Sequence, residues 1–339
     1  MSAAGRGLRG LCGMWLAAAV VAAALLLVPL FEPEKFTLQF MTRVMVMGLF
    51  AMSLDFALGC GGLVSFGHAM FFGAAGYALA LLTPGGEAAS FWTSLPLAMG
   101  VSALLALAVG ALALRTSGVY FIMVTLAFAQ MLYFLVHDTR FAGGSDGLYI
   151  YIRPDATLAG VKPFDLDNVL HVYYVALGCL AAGLALLAWL KASAFGRIID
   201  GIRLNEERMR SLGYAVFRHK LACFTLSGAL AGAAGYLGTV QFGVVNPDML
   251  GWQMSGTAMM MVILGGMGTL WGAALGAAAM LGAELGFQSL PALHVAGHDI
   301  DLGKHWLLGM GVCIVLVALY LPRGLAGLLR RARPEAAGD

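Results

Sequence analysis

Few residues of this chain have the types and spacing that catalysis requires. Gly143, Ser145 and Gly147 fit the G-x-S-x-G pattern of a hydrolase nucleophile, but that nucleophile needs a strand before it and a helix after it. Here the pattern lies in an acidic segment that follows an apolar run, so we interpret it as a turn. The sequence therefore predicts no catalytic residue.

Motifs for cofactors and metals are also missing from the sequence. The glycine-rich runs GCGG (59–62) and LGGMG (264–268) are not followed by the Gly-Lys-Ser/Thr of a phosphate-binding loop. No HExxH or comparable set of metal ligands occurs. The five cysteines are scattered singly, which is typical of packing residues and not of a zinc site or a disulfide framework. We predict no cofactor and no metal, and any use of ATP would need another chain.

The composition indicates a membrane protein. Of the 339 residues, 60% are hydrophobic and 11% are charged, whereas a soluble domain is about 45–50% apolar and about 25% charged. The 46 glycines agree with this, because glycine is commoner in transmembrane helices than in soluble ones. No basic tract with interleaved aromatic residues occurs, so we expect contact with membrane lipid and not with nucleic acid.

Apolar runs divide the chain into membrane spans. A helix needs about 20 apolar residues to cross the hydrocarbon core. Because 253–287 would be roughly 50 Å long as one helix, we divide it at its glycines into 253–265 and 269–287. The other spans lie at 11–31, 37–58, 64–82, 92–114, 118–136, 168–190, 220–241 and 304–321. The prediction is an all-α polytopic membrane protein, one domain over 1–339 with about 9–10 transmembrane segments.

The first span allows two interpretations. Arg6 and Arg9 precede it as the basic region of a signal peptide would. Its apolar run is longer than that of a usual signal peptide, and no A-x-A-like cleavage site follows. We interpret it as an uncleaved anchor.

Lys and Arg residues indicate the orientation of the spans. Basic residues cluster before span one, after span four, within 191–220 and after 321. These regions share one side only if 253–287 crosses twice or re-enters and returns. We therefore place both termini, the loop 191–219 and the tail 323–339 in the cytoplasm. The acidic loops 137–167 and 288–303 are then outside.

Two glycine-rich interruptions suggest where a substrate would pass. One lies at 59–73 and the other at 263–272, so each half of the chain has one. Broken helices in both halves of a transporter often mark its translocation core, because a broken helix must line a cavity or be buried in protein. Close helix packing is the alternative, and both can hold. The candidate path residues are Gly62, Ser65, Gly67, His68, Gly265, Gly266 and Gly268.

Other polar residues inside spans are costly in lipid, which favours a function for them. Arg43 lies near an outer helix end and could extend to the interface. Gln130 is interpreted as a bridge between helices, and Asp55, at the inner end of its span, is ambiguous. We assign none of the three to substrate.

The densest charge of the chain lies in RIIDGIRLNEERMRSLGY, residues 197–214. On one helix over 198–212, a stripe of Ile198, Ile199, Ile202, Met209 and Leu212 adjoins a charged stripe of Arg203, Glu206, Glu207 and Arg210. We predict the ion pairs Arg203–Glu207 and Glu206–Arg210 and a C-terminal cap at Gly213. Mixed charge favours docking onto a soluble protein over lying on lipid. A solvated loop is the alternative.

A family resemblance begins in this stretch. Residues 201–237, GIRLNEERMRSLGYAVFRHKLACFTLSGALAGAAGYL, resemble the cytoplasmic loop and following span of the branched-chain amino-acid ABC transporter permeases, the LivM-like group. Three further segments are similar to that family in the expected order: GLVSFGHAMFFGAAGYALALL (62–82), GVYFIMVTLAFAQMLYFLV (118–136) followed by GGSDGL, and MVILGGMGTLWGAALGA (261–277).

The resemblance implies a multi-pass permease of a bacterial inner membrane with a type II-like importer architecture. It implies ATPase subunits, a second homologous permease and an extracytoplasmic substrate-binding protein as partners. The charged segment would then be a coupling helix whose ATPase-coupling residues are Arg203, Glu206, Glu207, Arg210 and Gly213. Glu206 and Gly213 match the Glu and Gly of the classical importer motif. Arg208 and Met209 replace its alanines, as in the LivM-like variant.

Function follows mainly from this resemblance. It implies import of branched-chain or related amino acids, with urea, amides or aromatic acids as alternatives within the family. An ion-coupled secondary transporter would usually show acidic or histidine relays at midplane depth, and the sequence offers only Asp55, His68 and Glu284. A membrane enzyme would need a nucleophile with its base, or a metal set, which we do not find.

Overall fold

A computed structural model describes residues 34–83, 88–157, 162–289, 293–295, 298–300, 306–321 and 324–331, with the single positions Leu26 and Pro29. The helices are α1 (Lys35–Asp55), α2 (Ala69–Leu82), α3 (Phe91–Ala113), α4 (Val119–Asp138), α5 (Val169–Ala192), α6 (Ala194–Leu204), α7 (Glu206–Ser211), α8 (Val216–Phe242), α9 (Trp252–Gly265), α10 (Leu270–Gln288), α11 (Trp306–Tyr320) and α12 (Gly324–Arg331). The strands are β1 (Leu148–Tyr149), β2 (Val244–Val245), β3 (Leu293–Val295) and β4 (His298–Ile300).

The all-α polytopic prediction is confirmed. Among the described residues, six helices are long and apolar enough to cross a membrane, namely α1 with its following turn, α3, α4, α5, α8 and α10. The division of 253–287 is confirmed as well, since α9 ends at Gly265 and α10 begins at Leu270. The predicted span 11–31 and the tail beyond 331 lie outside the described residues, apart from Leu26 and Pro29.

One span boundary was wrong. The predicted span 64–82 is helical only from Ala69 onward, because residues 61–68 form an irregular connection. The helix α2 has 14 residues, as does α9, so each rises about 21 Å. That is shorter than the hydrocarbon core of about 30 Å. Each half of the chain therefore combines a short helix with an irregular segment.

Two helices form the centre of the bundle. Over the most apolar 18 residues of each helix, 89% are buried in α1 with its following turn and 72% in α8, whereas 17% are buried in α4. The helix α8 packs on α2 and α3, and α1 packs on α5, α8 and α10. A segment that contacts both α1 and α8 therefore contacts the centre of the bundle.

Glycines allow α8 to approach its neighbours closely. A Cβ atom at Gly235 would lie 1.9 Å from the carbonyl oxygen of Phe72 in α2, and one at Gly228 would lie 2.4 Å from the Cβ of Ala106 in α3. An alanine at either place would separate the helices. Close packing of small residues thus accounts for these two glycines.

The bundle has two distinct ends. At one, which we call the loop end, β1 pairs with β2 in antiparallel register, Leu148 opposite Val245. There the side chain of Gln241 donates to the carbonyl of Gln39 near the start of α1 at 2.7 Å. The short helices α6 and α7 lie at the other end, which α1 reaches at Asp55. We call this the α6–α7 end.

Candidate functional site: two helix breaks joined to a short helix pair

The first break follows α1. The last turn widens into a π-helical turn, Phe56–Cys60, and the N–H of Leu63 donates to the carbonyl of Ala57 at 3.0 Å. Gly62 then has a φ of 67°, a left-handed conformation that glycine adopts without steric cost. Single π turns occur frequently at functional sites. The predicted interruption is therefore a true break of the helix.

The second break separates α9 from α10. Gly266 has a φ of 110° and Gly268 a φ of 77°, so the chain reverses within a few residues. A Cβ at Gly265 would lie 1.9 Å from the carbonyl oxygen of Gly272. Here glycine is required twice over, for the left-handed backbone and for the close approach of α10 to α9.

The two breaks touch each other. A Cβ at Gly59 would lie 2.4 Å from the amide nitrogen of Gly268, so the two backbones lie side by side. Asp55 Oδ1 accepts a hydrogen bond from that amide at 2.7 Å. The Asp55 side chain is fully buried at the end of α1, and it joins the two halves of the chain.

Two cations complete this contact. Lys191, near the end of α5, donates from Nζ to the carbonyl of Gly268 at 2.6 Å. Arg203 of α6 donates from Nη1 to the carbonyl of Gly59. Both are close enough to the Asp55 carboxylate to attract it. We name the group Asp55, Gly59, Lys191, Arg203 and Gly268 the glycine junction.

The charged segment forms two helices and not one. The single helix predicted over 198–212 was wrong, because α6 ends at Leu204 and α7 begins at Glu206. Asn205 has an extended backbone between them, and its Oδ1 accepts from the N–H of Arg208 at 2.9 Å. Asparagine is among the best residues at a helix N-cap, and that local preference overrode the continuous amphipathic pattern.

The C-terminal cap of α7 is confirmed at Gly213, where φ is 86°. The N–H of Gly213 donates to the carbonyl of Arg210 at 3.0 Å, and the N–H of Tyr214 donates to that of Met209 at 3.2 Å. These two bonds are the pattern of a Schellman motif. Nothing lies within 4 Å of a Cβ built at Gly213, so backbone conformation, and not space, requires the glycine.

One predicted ion pair is present and one is not. Glu206 pairs with Arg210 at 3.0 Å, and it also pairs with Lys220 near the start of α8. The Arg203–Glu207 pair was wrong, since Asn205 separates their helices and Arg203 reaches Gly59 instead. Glu206 thereby links α7 to α8.

The outer surface of α6 and α7 mixes apolar and charged side chains. Of the predicted apolar stripe, Ile199 and Ile202 are buried in the bundle, whereas Leu212 is 65% exposed, and the neighbouring Leu204 is 82% exposed. Glu207, Arg208 and Arg210 are exposed beside them. Exposed leucines among charges of both signs suit a protein partner.

The remaining predicted path residues lie deeper, at the start of α2. His68 is fully buried, with Nε2 3.0 Å from Ser227 Oγ of α8 and 3.4 Å from Ser53 Oγ of α1. A Cβ at Gly67 would lie 2.2 Å from the carbonyl oxygen of Thr125 in α4. Ser65 Oγ accepts from the N–H of Gly67 at 3.3 Å.

The predicted residues thus separate into two groups. Gly62 and Gly268 adjoin Arg203 at the glycine junction, whereas Ser65, Gly67 and His68 pack among α1, α4 and α8. Sequence reasoning did not include Gly59 among the candidate site residues, and it used Lys191 only to orient the membrane spans. Spacing could have drawn attention to Asp55 and Gly59, four residues apart on one helix face.

The described part of the chain contains no group of three or more His, Cys, Asp or Glu side chains that could hold a metal ion. The hydrogen bonds of the glycine junction join α1, α5, α6 and the second break.

Comparison with known proteins identifies a family. Residues 36–298 match the family described as branched-chain amino acid transport system / permease component. The high-affinity branched-chain amino acid permease LivM of Salmonella typhimurium is 29% identical over 310 residues, 85% of this chain and 69% of its own length. LivM of Escherichia coli K12 is 28% identical over 321 residues, 88% of this chain and 72% of its own.

A more distant relative matches a shorter region. The autoinducer 2 import permease LsrC of Klebsiella pneumoniae is 36% identical over 137 residues, 39% of this chain and 38% of its own length. No solved structure matches the chain.

Proposed function

Since the chain belongs to the family of branched-chain amino acid transport permeases, we propose that it forms part of the membrane path of an ATP-driven importer and couples that path to a separate ATPase through α6 and α7. The family's members are transport permeases and not enzymes. The observation that carries the coupling proposal is the glycine junction, where Arg203 of α6 binds the first break and Lys191 binds the second.

The proposed partner surface is the exposed side of α6 and α7. Glu207, Arg208 and Arg210 point outward, and Leu204 and Leu212 lie among them. An ATPase cleft that closes around this surface would push on α6. Because Arg203 ties α6 to Gly59, the push would reach both breaks without crossing the lipid-facing helices.

The breaks are the proposed moving parts of the path. Gly62, Gly266 and Gly268 adopt left-handed conformations, and no helical hydrogen-bond ladder runs through 61–68 or 266–269. Such segments can change backbone conformation at lower cost than a continuous helix. Ser65, Gly67 and His68 would follow the first break as it repacks, so that the path opens on alternate sides.

The proposed substrates are branched-chain or related amino acids, as the names of the two LivM relatives suggest. A binding protein outside the inner membrane would deliver them, and a second, similar permease would complete the path. In this arrangement the α6–α7 end and both termini are cytoplasmic, and the loop end is outside.

The test is native mass spectrometry of the protein extracted gently from its own membrane. We expect two ATPase subunits and a second permease to remain bound. The ATPase rate of that complex should rise when an amino-acid-loaded binding protein is added. A stable monomer or homodimer without an ATPase would refute the coupling role and leave the exposed surface of α7 without a partner.

A further inference from the structure

A second site lies at the loop end, away from the glycine junction. A cavity of about 610 Å³ opens among α1, α8, α9, α10 and α11. Its volume is within the range of about 300–1,000 Å³ that is usual for small-molecule sites. None of the predicted path residues lines it, so this site is an addition to the path described above.

The wall of the cavity is rich in methionine. Seven of its lining residues are methionines, contributed by α1, α9, α10, α11 and the turn before α9, and they include Met47, Met254 and Met280. Methionine side chains are flexible and polarisable, so they adapt to apolar groups of different shape. The wall therefore suits a family of aliphatic groups better than one rigid shape.

The same cavity is lined by more acidic than basic side chains. Arg43 of α1 and Glu284 of α10 face each other at 3.7 Å, and Asp248 and Asn246 line the cavity from the turn after β2. Two carboxylates thus accompany one guanidinium. An ammonium group is favoured by the excess carboxylate, and a single carboxylate can be bound by Arg43.

One acceptor in this lining has no partner. Gln241 donates from Nε2 to the carbonyl of Gln39 at 2.7 Å, which fixes the orientation of its amide. Its Oε1 is buried, and it has no hydrogen-bond partner among the described residues. A buried acceptor without a donor is costly, and a ligand N–H would satisfy it.

We propose that this cavity is a binding site for a zwitterionic α-amino acid with an aliphatic side chain. The ligand ammonium binds Asp248 and Gln241 Oε1, its carboxylate binds Arg43, and its side chain packs on the methionines. The inference rests on the proposed import function, which it deepens by placing a substrate site on this chain outside the glycine junction. A phospholipid is the less suitable occupant, because its phosphate would face two carboxylates.

The first experiment uses the unaltered complex of permeases and ATPases in nanodiscs, without a binding protein. Equilibrium binding of radiolabelled leucine is competed with unlabelled leucine, with 3-methylbutylamine, which lacks the carboxylate, and with 4-methylpentanoate, which lacks the ammonium. We expect leucine to compete at least about tenfold better than either analogue, since each analogue leaves one charged group unpaired. Equal competition by all three would overturn the zwitterion site.

Variants then assign the two charges. Arg43→Gln should weaken leucine binding about tenfold, and Asp248→Asn should do the same. In Asp248→Asn the advantage of leucine over 4-methylpentanoate should disappear, while its advantage over 3-methylbutylamine is kept. Asp146→Asn, in the exposed loop after α4, is the matched control and should bind leucine normally. Unchanged binding by both cavity variants would overturn the assignment.

A third variant tests the apolar wall without altering charge. Met260→Trp, which enlarges a lining side chain, should reduce binding of leucine and isoleucine at least about tenfold more than that of alanine, because overpacking excludes the larger side chains. Met123→Trp is the control, since Met123 lies on the outward surface of α4, 59% exposed. An equal effect of both substitutions, or none of either, would argue against the cavity.

The outcomes separate this inference from the proposed function. If the wild-type complex with its binding protein transports no amino acid, the proposed function fails and the site fails with it. If it transports leucine but the cavity variants change neither leucine binding nor the substrate concentration at half-maximal uptake, the site alone is wrong. A co-purified phospholipid that leucine cannot displace would also overturn the site.

Discussion

At the level of single residues, the glycine junction is a place where backbone and side chains of distant segments approach closely. Gly59 and Gly268 lie side by side, since a Cβ at Gly59 would lie 2.4 Å from the amide nitrogen of Gly268, and Asp55 Oδ1 accepts a hydrogen bond from that amide at 2.7 Å. Removing one partner of a buried hydrogen bond leaves the other unsatisfied, which costs about 1–3 kcal/mol. Substitutions here should therefore affect both stability and transport.

Gly59→Ala should destabilise the protein and abolish transport. The new Cβ would lie 2.4 Å from Gly268 N and 2.5 Å from Asp55 Oδ1, and overpacking of this kind costs about 1–3 kcal/mol. The measurements are the thermal melting of the purified protein and leucine uptake in reconstituted vesicles. Gly100→Ala in α3 is the control, because a Cβ at Gly100 would meet nothing within 4 Å and alanine favours helix. If both variants behaved alike, the close approach of the breaks would not matter.

Arg203→Ala should separate ATP hydrolysis from transport. Arg203 contacts the first break and not Glu207, so we expect the ATPase to remain bound and active while uptake falls at least about tenfold. Arg218→Ala, an exposed cation at the start of α8, serves as the control. Measuring ATPase rate and uptake on the same vesicles distinguishes the two effects. Loss of the ATPase from the Arg203 variant would instead place this side chain on the partner surface.

At the scale of elements, the pair α6 and α7 is a jointed unit. Asn205 caps α7 at its start, a Schellman motif ends it at Gly213, and Glu206 joins it to Lys220 of α8. Each end is held by local hydrogen bonds, so α7 can keep its shape while it moves with a partner. A helix held at both ends, as α7 is, suits the transmission of a partner's movement to α6 and α8.

Gly213→Pro should abolish transport while membrane insertion is kept. Proline holds φ near −65° and has no N–H, so it loses both the left-handed turn at 86° and the bond to the Arg210 carbonyl. Gly213→Asn is the control, since asparagine tolerates the left-handed region and no atom obstructs its side chain near Cβ. Uptake and membrane-fraction yield are measured for each. Normal uptake by the proline variant would exclude a coupling role for this turn.

At the scale of the whole molecule, the bundle has two chemically different ends. The loop end has the β1–β2 ribbon and the methionine-rich cavity, and the α6–α7 end has the mixed-charge surface. The central helix α1 connects them, with Arg43 toward one and Asp55 at the other. A permease that receives substrate at one face and a mechanical signal at the other needs this separation.

Labelling of two serine positions tests the proposed orientation. Ser145→Cys lies in the loop after α4 and Ser211→Cys lies at the end of α7, and both positions are exposed. In intact spheroplasts a membrane-impermeant maleimide should label position 145, and it should label position 211 only after permeabilisation. The unsubstituted protein controls for native cysteines, of which Cys60 and Cys223 are buried. The reverse pattern would place α6 and α7 outside and remove the ATPase from the proposal.

Composition and local patterns were enough to predict the membrane class, the spans within the described residues to within a few positions, both glycine breaks and the cap at Gly213. These are local properties, since hydropathy, length and the backbone freedom of glycine need no knowledge of distant residues. The break at Asn205 was also local, but the amphipathic pattern over 198–212 obscured it.

Which of these local features contact each other depends on the packing of the helices and could not be predicted from local patterns. Asp55 binds Gly268 across 213 positions of sequence, and Arg203 binds Gly59 across 144. The cavity draws its lining from helices as far apart in the chain as α1 and α11. Such contacts depend on how the helices pack, because small residues allow many approaches and the polar groups then select one by pairing. Residue spacing within a single segment therefore cannot predict which distant residues contact each other.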